Sequence, residues 1–192
     1  MENKNLVVKK SSIEGLGVFA GKDFVIGEKI CVFNGRHASI QDMRDEFKFG
    51  ETRISCDGFQ ISETEYLMLD SPYIYMNHSC LPNASFRGVG ELIAIKPILM
   101  GEEIFYDYSA AEWTPQEYIE YDHSEWPMHC LCGATTCRKL IACFPYIPKD
   151  LRKTYIESGI LLDHIKEKLK KSPSEQRCFV CEEALGHGII LS

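Results

Sequence analysis

Three cysteines crowd the segment HCLCGATTC, at Cys130, Cys132 and Cys137. This C-x-C-x4-C spacing on a glycine-containing loop lets close thiolates converge on one ion. A structural zinc site takes four thiolate or imidazole ligands in a tetrahedron, so the trio lacks one. Two residues could complete it: His129 next door, or Cys80, far away in the polar turn YMNHSCLPNASF (75–86). A second group with chemical potential is FYDYS (105–109), where strand alternation puts Tyr106 and Tyr108 on one face. Read alone, FYDYS is better taken as an ordinary strand with buried aromatics. A third is the Gly15-Leu16-Gly17 turn, where missing side chains let a ligand approach the backbone; by itself it is only a turn. Asn77 and His78 likewise fit a polar turn held by Asn and Ser side chains.

Taken in order, GLGVFA, NHSCLPNA, GEEIFYDYS and CLCGATTCRKL resemble the four signatures of a SET-domain protein lysine methyltransferase with a post-SET cysteine cluster. The resemblance covers about residues 5–142, and its specificity lies in the four motifs occurring together and in order. It implies that Cys80 joins Cys130, Cys132 and Cys137 on one zinc ion, which would pin the C-terminal loop over the NHSC turn. It implies S-adenosylmethionine as cofactor, bound by Gly15, Leu16, Gly17, Asn77, His78, Tyr108 and Leu140. Tyr108 takes the place of the catalytic tyrosine. Tyr106 takes the place of the Phe-or-Tyr residue that limits methyl number, so monomethylation is expected. Two departures stand out. Ile74 lies where many members carry a basic residue, and Leu140 where many carry an aromatic that covers the cofactor. The small form with a helical tail resembles bacterial members more than large chromatin enzymes.

The resemblance further implies a mainly β SET fold of several small curved sheets, with a pseudoknot-like threading near the C-terminal strand, short helices and a helical extension. Its expected parts are a SET domain (5–109), an acidic connecting insert (110–129), a post-SET zinc loop (130–142), a helical extension (143–171) and a tail (172–192). The implied reaction is methyl transfer to the ε-amine of a lysine in a basic protein or peptide. Two alternatives stay open: a non-catalytic zinc-stabilised module that binds a basic peptide, and methylation of another amine.

Composition is compatible with this. The chain has 192 residues, 45% of them hydrophobic and 26% charged, as in a globular protein. Nine cysteines, an odd number without an export signal, fit metal binding better than a disulfide framework. The expected compartment is therefore the cytosol, or the nucleus. A net charge of −7 argues against direct nucleic-acid binding, and no apolar run is long enough for a membrane span. Between Pro97 and Cys137 there are eight carboxylates and no Lys or Arg. They form either an acidic rim for a basic peptide or a solvated face. Cys178, Cys181 and His187 in the tail fall one ligand short of a second zinc site, and Cys31, Cys56 and Cys143 read as core.

The elements that must position these residues are short. LVVKK, GVFA and EKICVF read as strands, as do ELIAIKPI (91–98) and EEIFYDY (102–108). TRISCDGFQI reads as a hairpin turning at Asp57-Gly58. Helices are expected at 39–47 with Ser39 as N-cap, at 114–121 behind Thr114, at 148–159 closed by Gly159, and at 161–171.

Overall fold

The computed structural model describes residues 4–42, 58–113 and 127–171. These residues form small antiparallel sheets with little helix, as expected. Strands β1 (Leu6–Lys10) and β2 (Leu16–Ala20) make a hairpin in which Leu6 pairs with Ala20 and Lys10 with Leu16. β3 (Lys29–Val32) pairs with β8 (Glu91–Ala94), which pairs with β7 (Ala84–Arg87). β4 (Gly35–Ser39) and β5 (Gly58–Gln60) flank β6 (Glu65–Leu69). β9 (Met128–His129) pairs with β10 (Leu140–Ile141) across the cysteine loop.

Each sheet is too small to bury a core alone, so all lean on one shared cluster. Phe24, Phe33, Phe59, Phe86, Ile98 and Ile104 supply its centre from five different segments. The C-terminal extension enters the same cluster. Helix α1 (Lys149–Ser158) contributes Tyr155, and helix α2 (Asp163–Lys168) contributes Ile165. Gly88 bridges Leu162, and the Ser85 hydroxyl donates to the Ile160 carbonyl at 3.0 Å, so the extension is fastened to the β7–β8 hairpin. Lys168 and Lys171 both reach Glu63 between β5 and β6. The extension is thus packed into the same core as the sheets.

Several expectations hold at the level of caps. Gly159 ends α1 with φ 68°, a left-handed position that glycine occupies without steric penalty. At Ser39 the hydroxyl accepts from the Asp42 N–H, while the Asp42 carboxylate accepts from the Ser39 N–H at 2.8 Å. That is a capping box at the start of the turn 40–42. The rest of that helix, the helix at 114–121, Asp57 and the tail residues lie outside the described residues.

Two expectations need correction. Gly58 is not a turn residue: it opens β5 opposite Met68, and the hairpin β5–β6 turns at 61–64. Nor is 102–108 a continuous strand. Glu103 bridges Phe19, Tyr106 bridges His78 in parallel, and a 3-10 turn starts at Tyr108. The reason is that successive residues here pair with different segments, which a regular ladder does not allow.

Candidate active site and thiol cluster

That irregular stretch is where the motifs meet. The Ser79 N–H donates to the Tyr106 carbonyl at 3.1 Å, and the Tyr108 N–H donates to His78 Nδ1 at 3.2 Å. Asn83 holds the two stretches in register, donating to the Glu103 carbonyl and accepting from the Phe105 N–H, both at 2.8 Å. The NASF part of the polar turn therefore serves as a splint. The Tyr108 hydroxyl donates to the Met76 carbonyl at 2.7 Å. With its proton committed there, the phenol oxygen can only accept from anything else that approaches.

Although the strand is irregular, Tyr106 and Tyr108 do share a face: their ring centroids are 4.9 Å apart. Tyr106 is buried against Phe86 (5.0 Å) and Phe33 (5.7 Å), and Phe33 also meets Tyr73 (5.5 Å). Burial raises the Tyr106 phenol well above its usual range, so it stays neutral. The result is an aromatic wall that includes both tyrosines.

The glycine turn sits beside this wall. Asn77 donates to the Leu16 carbonyl at 3.0 Å and to Glu103 at 2.9 Å, tying NHSC to Gly15-Leu16-Gly17. Glu103 also accepts from the Ser11 hydroxyl at 3.0 Å. A Cβ on Gly17 would lie 2.1 Å from that carboxylate, which would have to leave its bonds to Ser11 and Asn77 to make room. Gly15 adopts φ 50°. Leu16 is left 44% exposed, and no described residue donates to the carbonyl oxygen of the Asn77 side chain. An exposed leucine beside the Asn77 amide gives this turn a surface that is partly apolar and partly polar.

Below the turn, sulfur atoms converge. His78, Cys80, Cys130 and Cys132 place ligand atoms within 4.8 Å of one another. Cys137, expected as the fourth thiol, is not among these four; it packs against Cys80, Cys130 and Ile141, with its sulfur 3.9 Å from the Cys130 carbonyl. The Cys80 and Cys130 sulfurs are 3.7 Å apart, far beyond a disulfide. In a tetrahedron with Zn–S distances of about 2.3 Å, sulfurs stand ~3.8 Å apart, so the pair fits zinc. Backbone N–H groups of Cys80, Arg138 and Lys139 donate to the sulfurs of Cys132, Cys80 and Cys137, each at 3.4 Å, as suits thiolates.

His78 is in the cluster but is a poor ligand. Its Nδ1 accepts from Tyr108, so the ring proton lies on Nε2, which faces the Cys80 sulfur at 3.3 Å. Burial lowers its pKa to about 4, keeping it neutral. It is a donor to a thiolate, and its ring points away from solvent. Any cofactor contact by His78 therefore runs through its backbone. His129 is exposed on β9 and outside the cluster, which favours Cys80 as the distant ligand. Leu140 is buried on β10 beside Ile141, which packs on the thiols.

The acidic stretch is divided. Glu103 and Asp107 are buried hydrogen-bond acceptors, so they belong to no rim. Glu102 accepts from the Leu99 N–H at 2.8 Å in a turn. Glu117, Glu120, Asp122 and Glu125 lie outside the described residues. Sequence reasoning missed the partners of Asp107. Arg138 grips it with Nη1 at 2.8 Å and Nη2 at 2.6 Å, and the Tyr155 hydroxyl donates to it at 3.1 Å. The only sequence signal was an arginine directly after Cys137, where a stretch without Lys or Arg that begins at Pro97 ends.

Residues 15–109 match the SET domain family, and the chain carries a SET domain there. Among its relatives is human histone-lysine N-methyltransferase 2B, 30% identical over 146 residues, which are 70% of this chain and 5% of that protein. Histone-lysine N-methyltransferase trithorax of Drosophila virilis is 27% identical over 70% of this chain and 4% of its own length. The H3 lysine-4 specific histone-lysine N-methyltransferase of Cryptococcus neoformans is 29% identical over 72% and 10% respectively. The chain thus spans a small part of each of these relatives. A solved structure of ctPRC2 in complex with H3K27me3 and H3K27M aligns at TM-score 0.47 and 24% identity, over 54% of this chain and 14% of that one.

Proposed function

We propose that this protein transfers a methyl group from S-adenosylmethionine to the ε-amine of a lysine in a basic protein, chiefly once per lysine. The observation that carries the reading is the Tyr108 hydroxyl, fixed on the Met76 carbonyl at 2.7 Å and borne on a ring of the aromatic wall. The relatives' names, histone-lysine N-methyltransferases, support the acceptor class.

When bound, the cofactor would supply a methyl group on a positively charged sulfur. The residues fitted to hold it are Gly15, Leu16, Gly17 and the amide oxygen of Asn77. The chain's own work is on the amine. A free lysine has a pKa near ~10.4 and is not nucleophilic while protonated. Aromatic burial disfavours the ammonium form and so lowers that barrier. Tyr108, acceptor-only, takes a hydrogen bond from the neutral amine and directs its lone pair. Tyr106 places a second hydroxyl nearby, which leaves less room for an already methylated amine. Zinc held by Cys80, Cys130, Cys132 and Cys137 would be structural: four protein ligands leave no open position for substrate.

The test is incubation of the zinc-loaded protein with methyl-labelled S-adenosylmethionine and a cell lysate, followed by mass spectrometry. Label on the lysine of a protein supports the reading. Cofactor binding by calorimetry without any labelled acceptor would instead indicate a binding module.

A further inference from the structure

Asp107 stands between the two tyrosines, and its side chain is wholly buried. Four donors hold it: Arg138 Nη1 and Nη2, the Tyr155 hydroxyl and the Ser109 N–H. They come from three separate places. Ser109 belongs to the 3-10 turn that Asp107 caps. Arg138 follows Cys137, and its own N–H donates to the Cys80 sulfur. Tyr155 lies on α1, outside the segment matched to the SET domain. It is buried in the main core, so its hydroxyl is delivered by a packed helix and not by a mobile chain end.

We propose that Tyr155 and Arg138 are positioning residues: by gripping Asp107 from two sides they set the backbone of Tyr106 and Tyr108, so that the C-terminal extension holds the reacting tyrosines in place. This rests on the function proposed above for those tyrosines. A buried carboxylate with several fixed donors has one orientation, and its neighbours in the chain inherit that orientation. Loss of one donor from a satisfied network loosens the rest. The link also makes the thiol loop and the extension act on one atom group, because Arg138 serves both.

The test is made on the full, zinc-loaded chain carrying tyrosine labelled with 13C at Cζ, whose shift reports the hydrogen bonding of each phenol. The Tyr108 signal is assigned by its loss in Tyr108→Phe. In Tyr155→Phe, which removes one hydroxyl and keeps the ring, that signal should shift or broaden, with zinc content unchanged. Arg138→Lys, which keeps charge but loses the fork, should do the same. Thr154→Ala, a change on the same helix whose hydroxyl bonds only the Asp150 carbonyl at 3.0 Å, should leave it unmoved. With core histones as acceptor probe, Tyr155→Phe should lower turnover about fivefold, the equivalent of one net hydrogen bond, without changing the KM for S-adenosylmethionine. A Tyr108 signal identical in the unmutated protein and both clamp variants would overturn the proposal. An unmutated protein that labels no histone, but whose Tyr108 signal moves in Tyr155→Phe, would keep the clamp and count against histone as substrate.

Discussion

At the scale of the residue, the hydroxyl of Tyr108 is the group whose removal is most informative. Tyr108→Phe keeps the ring contacts with Tyr106 and His78, at 4.9 and 5.4 Å, so fold and cofactor affinity should change little. Turnover should fall by ~10²-fold, the scale for one oriented polar group in a dry site. Initial rates at saturating cofactor measure it, and near-normal turnover would refute the role. Tyr106→Phe should move the product from monomethyl- toward dimethyl-lysine, read by mass spectrometry, since it deletes a hydroxyl from a packed wall. Trimethyl-lysine as the main product of the unmutated protein would contradict this. Alternation pointed to a pairing of these tyrosines, and their rings do meet, though on a bridge and a 3-10 turn and not on the continuous strand that reading assumed. The grip on Asp107 was not, because Asp107, Arg138 and Tyr155 lie 31 and 48 positions apart and share no motif.

At the scale of the element, the cysteine loop would depend on the zinc proposed for its thiols. Among the described residues few apolar groups besides Tyr108, Ile141, Met128 and Ala134 cover it, so much of its folding energy would come from metal binding. Cys80→Ser should lower zinc content and speed hydrogen exchange across 128–141. Full stoichiometry with unchanged exchange would remove Cys80 from the ligand set. The loop was legible because its ligands are one residue type at fixed spacing. Strands β4, β6 and β7 were not: GRHAS, EYLML and ASFR lack clean alternation, and partners define them more than propensity does. The 102–108 segment was misread for the opposite reason. Its composition is strand-like, but the buried acceptors Glu103 and Asp107 draw it to several partners in turn.

For the molecule as a whole, stability should fall in acid, and His164 on α2 is one cause. Burial depresses its pKa from the model-peptide 6.5 to about 4. The unfolded chain therefore takes up a proton on this ring at a higher pH than the folded one. Stability from the neutral ring is complete above about pH 6.5 and is lost as pH falls toward 4, by roughly 2 kcal/mol at pH 5. Urea unfolding at pH 7 and pH 5 measures the loss, and His164→Gln should flatten that difference. Arg138→Met should be more damaging at neutral pH, about 3–5 kcal/mol, because it strands the Asp107 charge in the core. A melting temperature unchanged in Arg138→Met would show that the ion pair does not hold the thiol loop and α1 together.

The central claim is that the aromatic wall and the Tyr108 hydroxyl serve methyl transfer to lysine. The most direct measurement is mass spectrometry of lysate proteins after incubation with methyl-labelled cofactor and either unmutated protein or Tyr108→Phe, across pH 7 to 9. The account predicts label on lysine ε-amines, mostly one methyl each, rising toward alkaline pH as the amine deprotonates, and nearly absent with Tyr108→Phe. Label of equal amount from both proteins, or no lysine label from a protein that binds S-adenosylmethionine, would contradict it.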